Sequence, residues 1–175
     1  MPVSRILVLG GSRSGKSVHA ESLLAGRTDV TYLATSRSAG EDAEWAARIA
    51  AHRARRPSSW TTVETTDPSA LLREGAVLVD SVTTWVAALM DDAGSWSDEP
   101  GAGDRLTARC DALVEAWATT PAHVVAVSDE VGLGVIPETR SGRQFRDVLG
   151  AVNQRLAGSA DEVWFVVAGL PQRLR

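Results

Sequence analysis

The residues with the clearest chemical meaning form one glycine-rich run near the start of the chain. The run Gly10-Gly11-Ser12-Arg13-Ser14-Gly15-Lys16-Ser17 matches the pattern G-x-x-x-x-G-K-S at every fixed position. Glycines let the backbone curl so that successive N–H groups point at anionic oxygens. A helix that begins at the end of the run adds partial positive charge there. The pattern therefore predicts a phosphate-binding P-loop in which all eight residues bind the nucleotide.

Two side chains of this run carry specific chemistry. Lys16 is the only lysine among the 18 basic residues of the chain. A compact ammonium on a slim stem suits a narrow phosphate cradle better than a planar guanidinium does. In P-loop enzymes this lysine contacts the β- and γ-phosphates, and the following hydroxyl binds Mg²⁺. We therefore expect Lys16 to be catalytic and Ser17 to be a ligand of Mg²⁺.

A P-loop enzyme also needs a carboxylate for its Mg²⁺, and Asp80 stands where that acid is expected. It directly follows an apolar run, 76–79, that predicts a buried strand. Alternatively, Asp80 caps the helix predicted after it. A second acidic pair, Asp129 and Glu130, follows the apolar run 123–127. Because the carboxyl ends of parallel strands share one edge of a sheet, we expect both acidic sites at that edge.

The elements that must position these residues alternate between short apolar strands and helices. Strands are predicted at 6–9, 30–35, 60–64, 76–79, 123–127 and 163–168. Helices are predicted at 17–25, 41–56, 82–90, 104–118 and 140–157, with a helical turn at 68–74 and loops at 91–103 and 129–139. Such strands imply a parallel sheet covered on both faces. The predicted class is α/β, a single-domain P-loop NTPase fold over residues 1–175, with a mostly parallel sheet and helices on both faces.

Composition excludes several classes of protein. The formal net charge of −4 argues against a nucleic-acid binder, and no apolar run approaches the length of a membrane span. The single cysteine, Cys110, suits a reducing compartment. The guanine-reading motif N-K-x-D is absent because no lysine follows Lys16, which disfavours a signalling GTPase. We expect a cytoplasmic protein that binds no nucleic acid and has no membrane span.

Beyond the P-loop, sequence blocks along most of the chain resemble one enzyme family. They are His19–Glu21, Tyr32–Thr35, Arg48–Arg53, Arg56–Pro57, Asp80–Thr84, Glu130–Gly134, Pro137–Arg140, Phe145–Asp147, Val152–Ala157 and Ala160–Trp164. Together they are similar to the bifunctional adenosylcobinamide kinase / adenosylcobinamide-phosphate guanylyltransferases of cobalamin biosynthesis. The resemblance implies that ATP or GTP phosphorylates adenosylcobinamide. It also implies that GMP then passes from GTP through a histidine to give adenosylcobinamide-GDP and pyrophosphate, and that the chain forms a homotrimer.

The resemblance places His52 at the catalytic position for guanylyl transfer, where a neutral imidazole must attack the α-phosphate. Four arginines surround it in the sequence: Arg48, Arg53, Arg55 and Arg56. Their positive charge disfavours imidazolium, and they can hold the triphosphate. Alternatively, His52 shares a predicted helix face with Ile49 and Trp45 and packs there as a half-buried residue. Members of the family often carry two adjacent histidines, whereas Ala51 precedes His52 here.

The remaining site predictions concern polar residues near the predicted strand ends. The same hypothesis assigns Thr35, Arg53 and Glu64 to nucleotide binding. His19 is expected to pack against the sheet, and His123 to be structural. Thr83 and Thr84 either bind a phosphate or begin a helix.

Two alternative functions are compatible with the P-loop. One is a metabolite kinase without transferase activity, in which His52 is only structural. The other is a GTP-binding regulatory module, which hydrolyses its nucleotide slowly and acts through a partner protein.

Overall fold

A mixed sheet organises the chain. The computed structural model describes residues 4–36, 47, 49–50, 53–97 and 99–175. Within these ranges the strands are β1 (Arg5–Gly10), β2 (Val30–Ala34), β3 (Thr61–Glu64), β4 (Ala76–Asp80), β5 (His123–Asp129), β6 (Glu162–Val167) and β7 (Leu170–Arg173). They lie in the order β3-β2-β4-β5-β1-β6-β7. All neighbouring pairs are parallel except β6 and β7, which confirms the predicted mostly parallel sheet.

Helices connect the strands as the sequence predicted. They are α1 (Lys16–Leu23), α2 (Val82–Asp92), α3 (Ala102–Thr119) and α4 (Arg140–Ser159), with short 3-10 helices at Pro68–Leu71 and Ser95–Ser97. Residues 53–55 are also helical. Most of the helix predicted at 41–56 lies outside the described residues. In the described part of the chain, no helix has both the length and the apolar character needed to cross a membrane.

The core is divided between the two faces of the sheet. Alternate strand residues such as Leu7, Val77 and Val124 pack under α2, α3 and α4. Their neighbours Val8 and Leu78 belong to a second cluster, which includes residues of α1. Because the strands are buried on both faces, they read as continuous apolar runs rather than as alternating ones.

Strand order brings the ends of distant segments together. In the pairing of β1 with β5, Gly10 lies opposite Asp129. Along the same carboxyl edge, Ala34 lies opposite both Asp80 and Glu64. The strand that leads into the P-loop, β1, therefore lies between β5 and β6, and β4 lies beyond β5. This order makes Asp129 the acidic strand end nearest to the P-loop strand in the sheet.

The structure differs from the prediction in two segments. The loop predicted at 91–103 is largely structured, because α2 extends to Asp92 and α3 begins at Ala102. Ala93 between them is buried against the core, which the polar composition of the segment hides. The strand β7 was missed because all four of its residues are exposed and carry no apolar pattern. Ala168 and Gly169, both with positive φ, form the tight turn that leads into it.

Candidate nucleotide site

The P-loop is a tight turn between β1 and α1. Ser14 donates its backbone N–H to the Gly11 carbonyl at 3.2 Å. Gly15 then takes a left-handed conformation, with φ of 95°, immediately before the helix. A side chain at Gly10 would place Cβ only 2.6 Å from the Val166 carbonyl oxygen, so this glycine allows the close approach of β6. The curled loop predicted from the sequence is confirmed.

The turn between β6 and β7 supports the P-loop from the side. Gly169 donates its backbone N–H to the Ser14 carbonyl at 2.7 Å. A Cβ on Gly15 would lie 3.1 Å from the Gly169 Cα, which leaves little room for any larger residue. Sequence reasoning could not find this support because β7 itself was not predicted.

Lys16 pairs with a carboxylate at the floor of the site. Its side chain is only 9% exposed, and its Nζ lies 2.6 Å from Asp129 Oδ1. The same ammonium donates to the Gly11 carbonyl at 3.3 Å. The sequence placed Asp129 at the correct edge of the sheet but did not predict this ion pair, which depends on β5 lying beside β1.

Asp80 is held by a buried tyrosine. The Tyr32 hydroxyl donates a short hydrogen bond to Asp80 Oδ2. Burial, and then the charge of Asp80, raise the pKa of Tyr32 above its ordinary value, so the hydroxyl remains a donor. The Arg56 guanidinium carbon lies 3.2 Å from the centre of the Tyr32 ring. This cation–π contact places a positive group over the tyrosine that donates to Asp80.

The cap of α2 is Ser81, so the alternative that Asp80 caps this helix is wrong. Ser81 Oγ accepts from the Thr84 backbone N–H at 3.3 Å, and the Thr84 side chain completes a capping box. The Asp80–Ser81 peptide bond is cis. Thr83 and Thr84 both lie in the first turn of α2, which confirms that they begin a helix. Asp80 itself lies on the wall of the cavity at the carboxyl edge.

This cavity has a volume of about 410 Å³ and brings together six of the predicted site residues. Those on its wall are Ser12, Lys16, Ser17, Arg53, Glu64 and Asp80. Residues not assigned to the nucleotide from the sequence also line it, among them Tyr32, Ser36, Ile49, Arg56, Thr84, Asp129, Glu130 and Val131. Gly10, Gly11, Arg13, Ser14 and Gly15 belong to the P-loop but are not part of this wall.

Thr35 does not reach the cavity, so the prediction that it contacts the nucleotide needs correction. It is fully buried. Its hydroxyl donates to the Ser81 carbonyl at 2.6 Å and lies 2.9 Å from Thr84 Oγ1. The Thr35 side chain therefore holds the start of α2 in place and lies beneath the residues that line the cavity. From the sequence alone, a threonine at a strand end that contacts a nucleotide cannot be told from one that is buried against the next helix.

The arginines near His52 have different partners. Arg53 Nη2 lies 2.7 Å from Glu64 Oε1, and both side chains are more than half exposed. Arg56 donates to Thr62 Oγ1 at 3.1 Å. Arg55 instead pairs with Glu21 of α1, at 3.2 Å. Arg53 and Arg56 thus reach the cavity, whereas Arg55 ties this segment to α1.

The predicted nucleophile lies outside the described residues. The residues outside the described ranges include His52, the predicted nucleophile, and also Arg48 and Ala51. The nearest described neighbours of His52 along the chain are Ala50 and Arg53. Of the described residues near His52 in the sequence, Ile49 and Arg53 line the cavity.

The other two histidines are structural, as predicted. The His19 ring packs edge-on against Trp164 of β6, with centroids 4.9 Å apart, and burial lowers its pKa. His123 Nδ1 lies 2.7 Å from Ser4 Oγ. Burial, followed by the charge of Arg27, lowers the pKa of His123. Neither ring lines the cavity.

The residues on the wall fit a Mg²⁺ ion that arrives with a nucleotide. Among the described residues, no group of three or more histidine, cysteine, aspartate or glutamate side chains could hold a metal. Mg²⁺ in nucleotide sites needs fewer protein ligands, because phosphate oxygens and waters complete its shell. Ser17 and Asp80 offer a hydroxyl and a carboxylate on one cavity wall. These are hard oxygen donors of the kind that Mg²⁺ prefers.

Comparison with known proteins gives full-length matches. The model of the CobU family, described as cobinamide kinase / cobinamide phosphate guanyltransferase, matches residues 6–174. The bifunctional adenosylcobalamin biosynthesis protein CobU of Escherichia coli (strain K12) is 43% identical over 182 residues, covering 97% of this chain and 99% of that protein. The bifunctional adenosylcobalamin biosynthesis protein CobP of Pseudomonas aeruginosa is 41% identical over 180 residues, covering 98% and 97%.

A solved structure supports the fold. A prototypical ATPase from the type III secretion system of pathogenic bacteria superposes with a TM-score of 0.59 at 16% sequence identity. The match covers 97% of this chain but only 56% of that one. At this identity the likeness concerns the fold alone, and it agrees with the P-loop α/β class predicted from the sequence.

Proposed function

The chain belongs to the cobinamide kinase / cobinamide phosphate guanyltransferase family, and we propose that the cavity at the carboxyl edge of the sheet serves both reactions. The enzyme is a phosphotransferase and a nucleotidyltransferase of adenosylcobalamin biosynthesis. The observation that carries the proposed site is the buried Lys16 at the end of an intact P-loop, on the same wall as Asp80. Family membership removes the alternative of a GTP-binding regulatory module.

In the kinase reaction, the acceptor is the hydroxyl of adenosylcobinamide and the donor is ATP or GTP. We propose that backbone N–H groups of the P-loop other than that of Ser14 cradle the phosphates, and that Lys16 contacts the β- and γ-phosphates. Ser17 and Asp80 would hold Mg²⁺, which when bound offsets phosphate charge. The Tyr32 hydroxyl orients the Asp80 carboxylate for that task, and Arg56 packs on the Tyr32 ring. The protein thus acts by positioning and by electrostatic stabilisation.

In the transferase reaction, GTP donates GMP to adenosylcobinamide phosphate. We propose that a neutral His52 nitrogen attacks the α-phosphorus while the bond to the bridging oxygen of the β-phosphate breaks, so that pyrophosphate leaves. A phosphate oxygen of the acceptor then displaces the histidine, giving adenosylcobinamide-GDP. Arg53 and Arg56 line the cavity close to this segment, and guanidinium groups are suited to phosphate oxygens. Glu64, paired with Arg53, completes the proposed nucleotide contacts.

The test of this mechanism is labelling with GTP that carries radioactive phosphorus at the α-position. Wild-type protein with Mg²⁺ is expected to retain the label in alkali and lose it in acid, as a phosphoramidate does. The His52→Ala variant is expected to take up none. His19→Gln is the matched control, because this histidine packs against Trp164 outside the cavity and its variant should label like wild type.

Two results would change the proposal. Wild-type protein that takes up no label but phosphorylates adenosylcobinamide would be a kinase that lacks the histidine route. Labelling that persists in His52→Ala would move the nucleophile to another residue.

Three further predictions concern the number of domains, the oligomeric state and the cellular location. We propose that residues 1–175 form one domain, because both core clusters pack on one sheet. Assembly into a homotrimer is supported by exposed apolar side chains in the segment after Glu130, where Leu133, Val135 and Ile136 are 64–95% exposed. A cytoplasmic location stays a prediction from composition.

A further inference from the structure

The ion pair between Lys16 and Asp129 occupies the place where a P-loop lysine would meet phosphate. The two charged atoms, Nζ and Oδ1, are 2.6 Å apart, and the lysine side chain is 9% exposed. At this burial the interaction is screened by water much less than a surface pair is. The carboxylate therefore competes with an incoming phosphate for the same ammonium.

The backbone of Asp129 is held from three sides. Its N–H donates to Thr83 Oγ1 of α2 at 2.7 Å. Its carbonyl accepts from Asn153 Nδ2 of α4 at 3.1 Å. The next residue, Glu130, donates its N–H to the Gly10 carbonyl at 3.1 Å. Because the main chain is fixed in this way, the pair opens by rotation of side chains rather than by movement of the strand end.

We propose that Asp129 is a positioning residue that holds Lys16 in the free enzyme, and that a nucleotide binds by replacing this carboxylate with phosphate. The inference rests on the proposed function, since it requires nucleotide at the P-loop. The proposal also assigns the Lys16–Asp129 ion pair a role in the release of product. The two reactions use one cavity in turn, so the nucleoside diphosphate product of the first must leave before the second begins. Because the Asp129 carboxylate can pair with Lys16 again, it favours that release.

The test is the affinity for GDP, measured by isothermal titration calorimetry with EDTA present and then with Mg²⁺. The Asp129→Asn variant keeps the size of the side chain and the backbone contacts but loses the charge. Without metal it is expected to bind GDP roughly tenfold more tightly than wild type, because the competing carboxylate is gone. Damage to the fold would weaken binding, so tighter binding separates this role from a merely structural one.

The matched control is Glu130→Gln, which removes one negative charge from the same wall. The Glu130 carboxylate accepts from the Gly132 N–H at 2.6 Å rather than from Lys16. Its effect on GDP affinity is expected to be much smaller than that of Asp129→Asn. If Asp129→Asn does not fold, Asp129→Ser removes the same charge, and the same increase in affinity is expected.

Each other outcome has a definite meaning. Unchanged or weaker binding of GDP by the Asp129 variant in EDTA would overturn the inference. Binding that is weaker only with Mg²⁺ would also overturn it and make Asp129 a metal ligand. If wild-type protein binds neither GDP nor GTP under any condition, the proposed nucleotide site itself fails, whatever the variants do.

Discussion

Lys16 is the residue on which most of the chemistry depends. It is the only lysine in the sequence, and its ammonium lies between the Asp129 carboxylate and the Gly11 carbonyl. The space around it is narrow, because the residue as a whole is only 7% exposed. A buried cation in such a place requires close partners, and phosphate oxygens are the partners that the proposed reactions supply.

Replacing Lys16 with arginine tests whether charge alone is sufficient. The planar, longer guanidinium keeps the charge but cannot occupy the space of the ammonium between Gly11 and Asp129. For Lys16→Arg we expect kcat/KM for phosphorylation of adenosylcobinamide to fall by roughly a hundredfold or more. Steady-state assays measure this, and circular dichroism checks the fold. Arg155→Lys, an exchange at a partly exposed position outside the cavity, is the control. Near wild-type activity in Lys16→Arg would contradict the argument.

At the scale of the element, the P-loop depends on the β6–β7 hairpin as much as on its own glycines. Gly169 in the hairpin turn donates to Ser14, and the Val166 carbonyl lies against Gly10. The conformation of the loop therefore depends on a distant segment, since Gly10 and Val166 are more than 150 residues apart in the sequence. Local sequence supplies the flexible residues, and tertiary contacts select their conformation.

The two adjacent glycines at the start of the loop give a sharp comparison. In Gly10→Ala the new Cβ would lie 2.6 Å from the Val166 carbonyl oxygen, so β6 or the loop must shift. We expect the free energy of unfolding to fall by about 1–3 kcal/mol. Gly11 has no neighbour within 4 Å of an added Cβ, so Gly11→Ala should stay within about 0.5 kcal/mol of wild type. Urea unfolding without nucleotide measures both, and equal losses would contradict the role of the β6 contact.

Elements buried on both faces were the easiest to predict. Ala76–Val79 and the strand that begins at His123 are continuous apolar runs, so periodicity and length located them. Strand order is a different matter, because it is decided by how helices pack across the sheet. The sequence could therefore place Asp80 and Asp129 at one edge, but not choose which of them lies beside the P-loop. The burial of Thr35 and the exposed strand β7 likewise depend on contacts that no local pattern encodes.

At the scale of the whole molecule, the two edges of the parallel sheet have different tasks. The carboxyl edge carries the cavity and its charged residues. Near the opposite edge, Arg5 pairs with Asp161 at 3.0 Å, and Ser4 contacts His123 at the start of β5. This division agrees with the general rule that ligands bind outside the carboxyl ends of parallel strands.

The two histidines outside the cavity, His19 and His123, make the stability of the fold depend on pH. Burial lowers the pKa of His19 and His123 below the ordinary value of 6.5, so both rings stay neutral in the folded protein when the unfolded chain already binds protons. Their contribution to stability is complete above that value and is lost as pH falls through the lowered pKa. We therefore expect the free energy of unfolding in urea to decrease from about pH 7.5 to about pH 5.5. Both His19→Gln and His123→Gln should flatten this slope, whatever their effect on stability at neutral pH.

Asp161→Asn is the control for this prediction. Hydrogen bonds from Arg5 lower the pKa of the Asp161 carboxyl below its ordinary value of 3.8, so this group is ionised throughout the measured range. Its replacement should lower stability equally at each pH and leave the slope as in wild type. A slope that neither histidine variant changes would mean that both rings bind protons equally well in the folded and unfolded chains. That result would contradict the loss of hydration that we infer from the packing of His19 against Trp164 and of His123 beside Ser4.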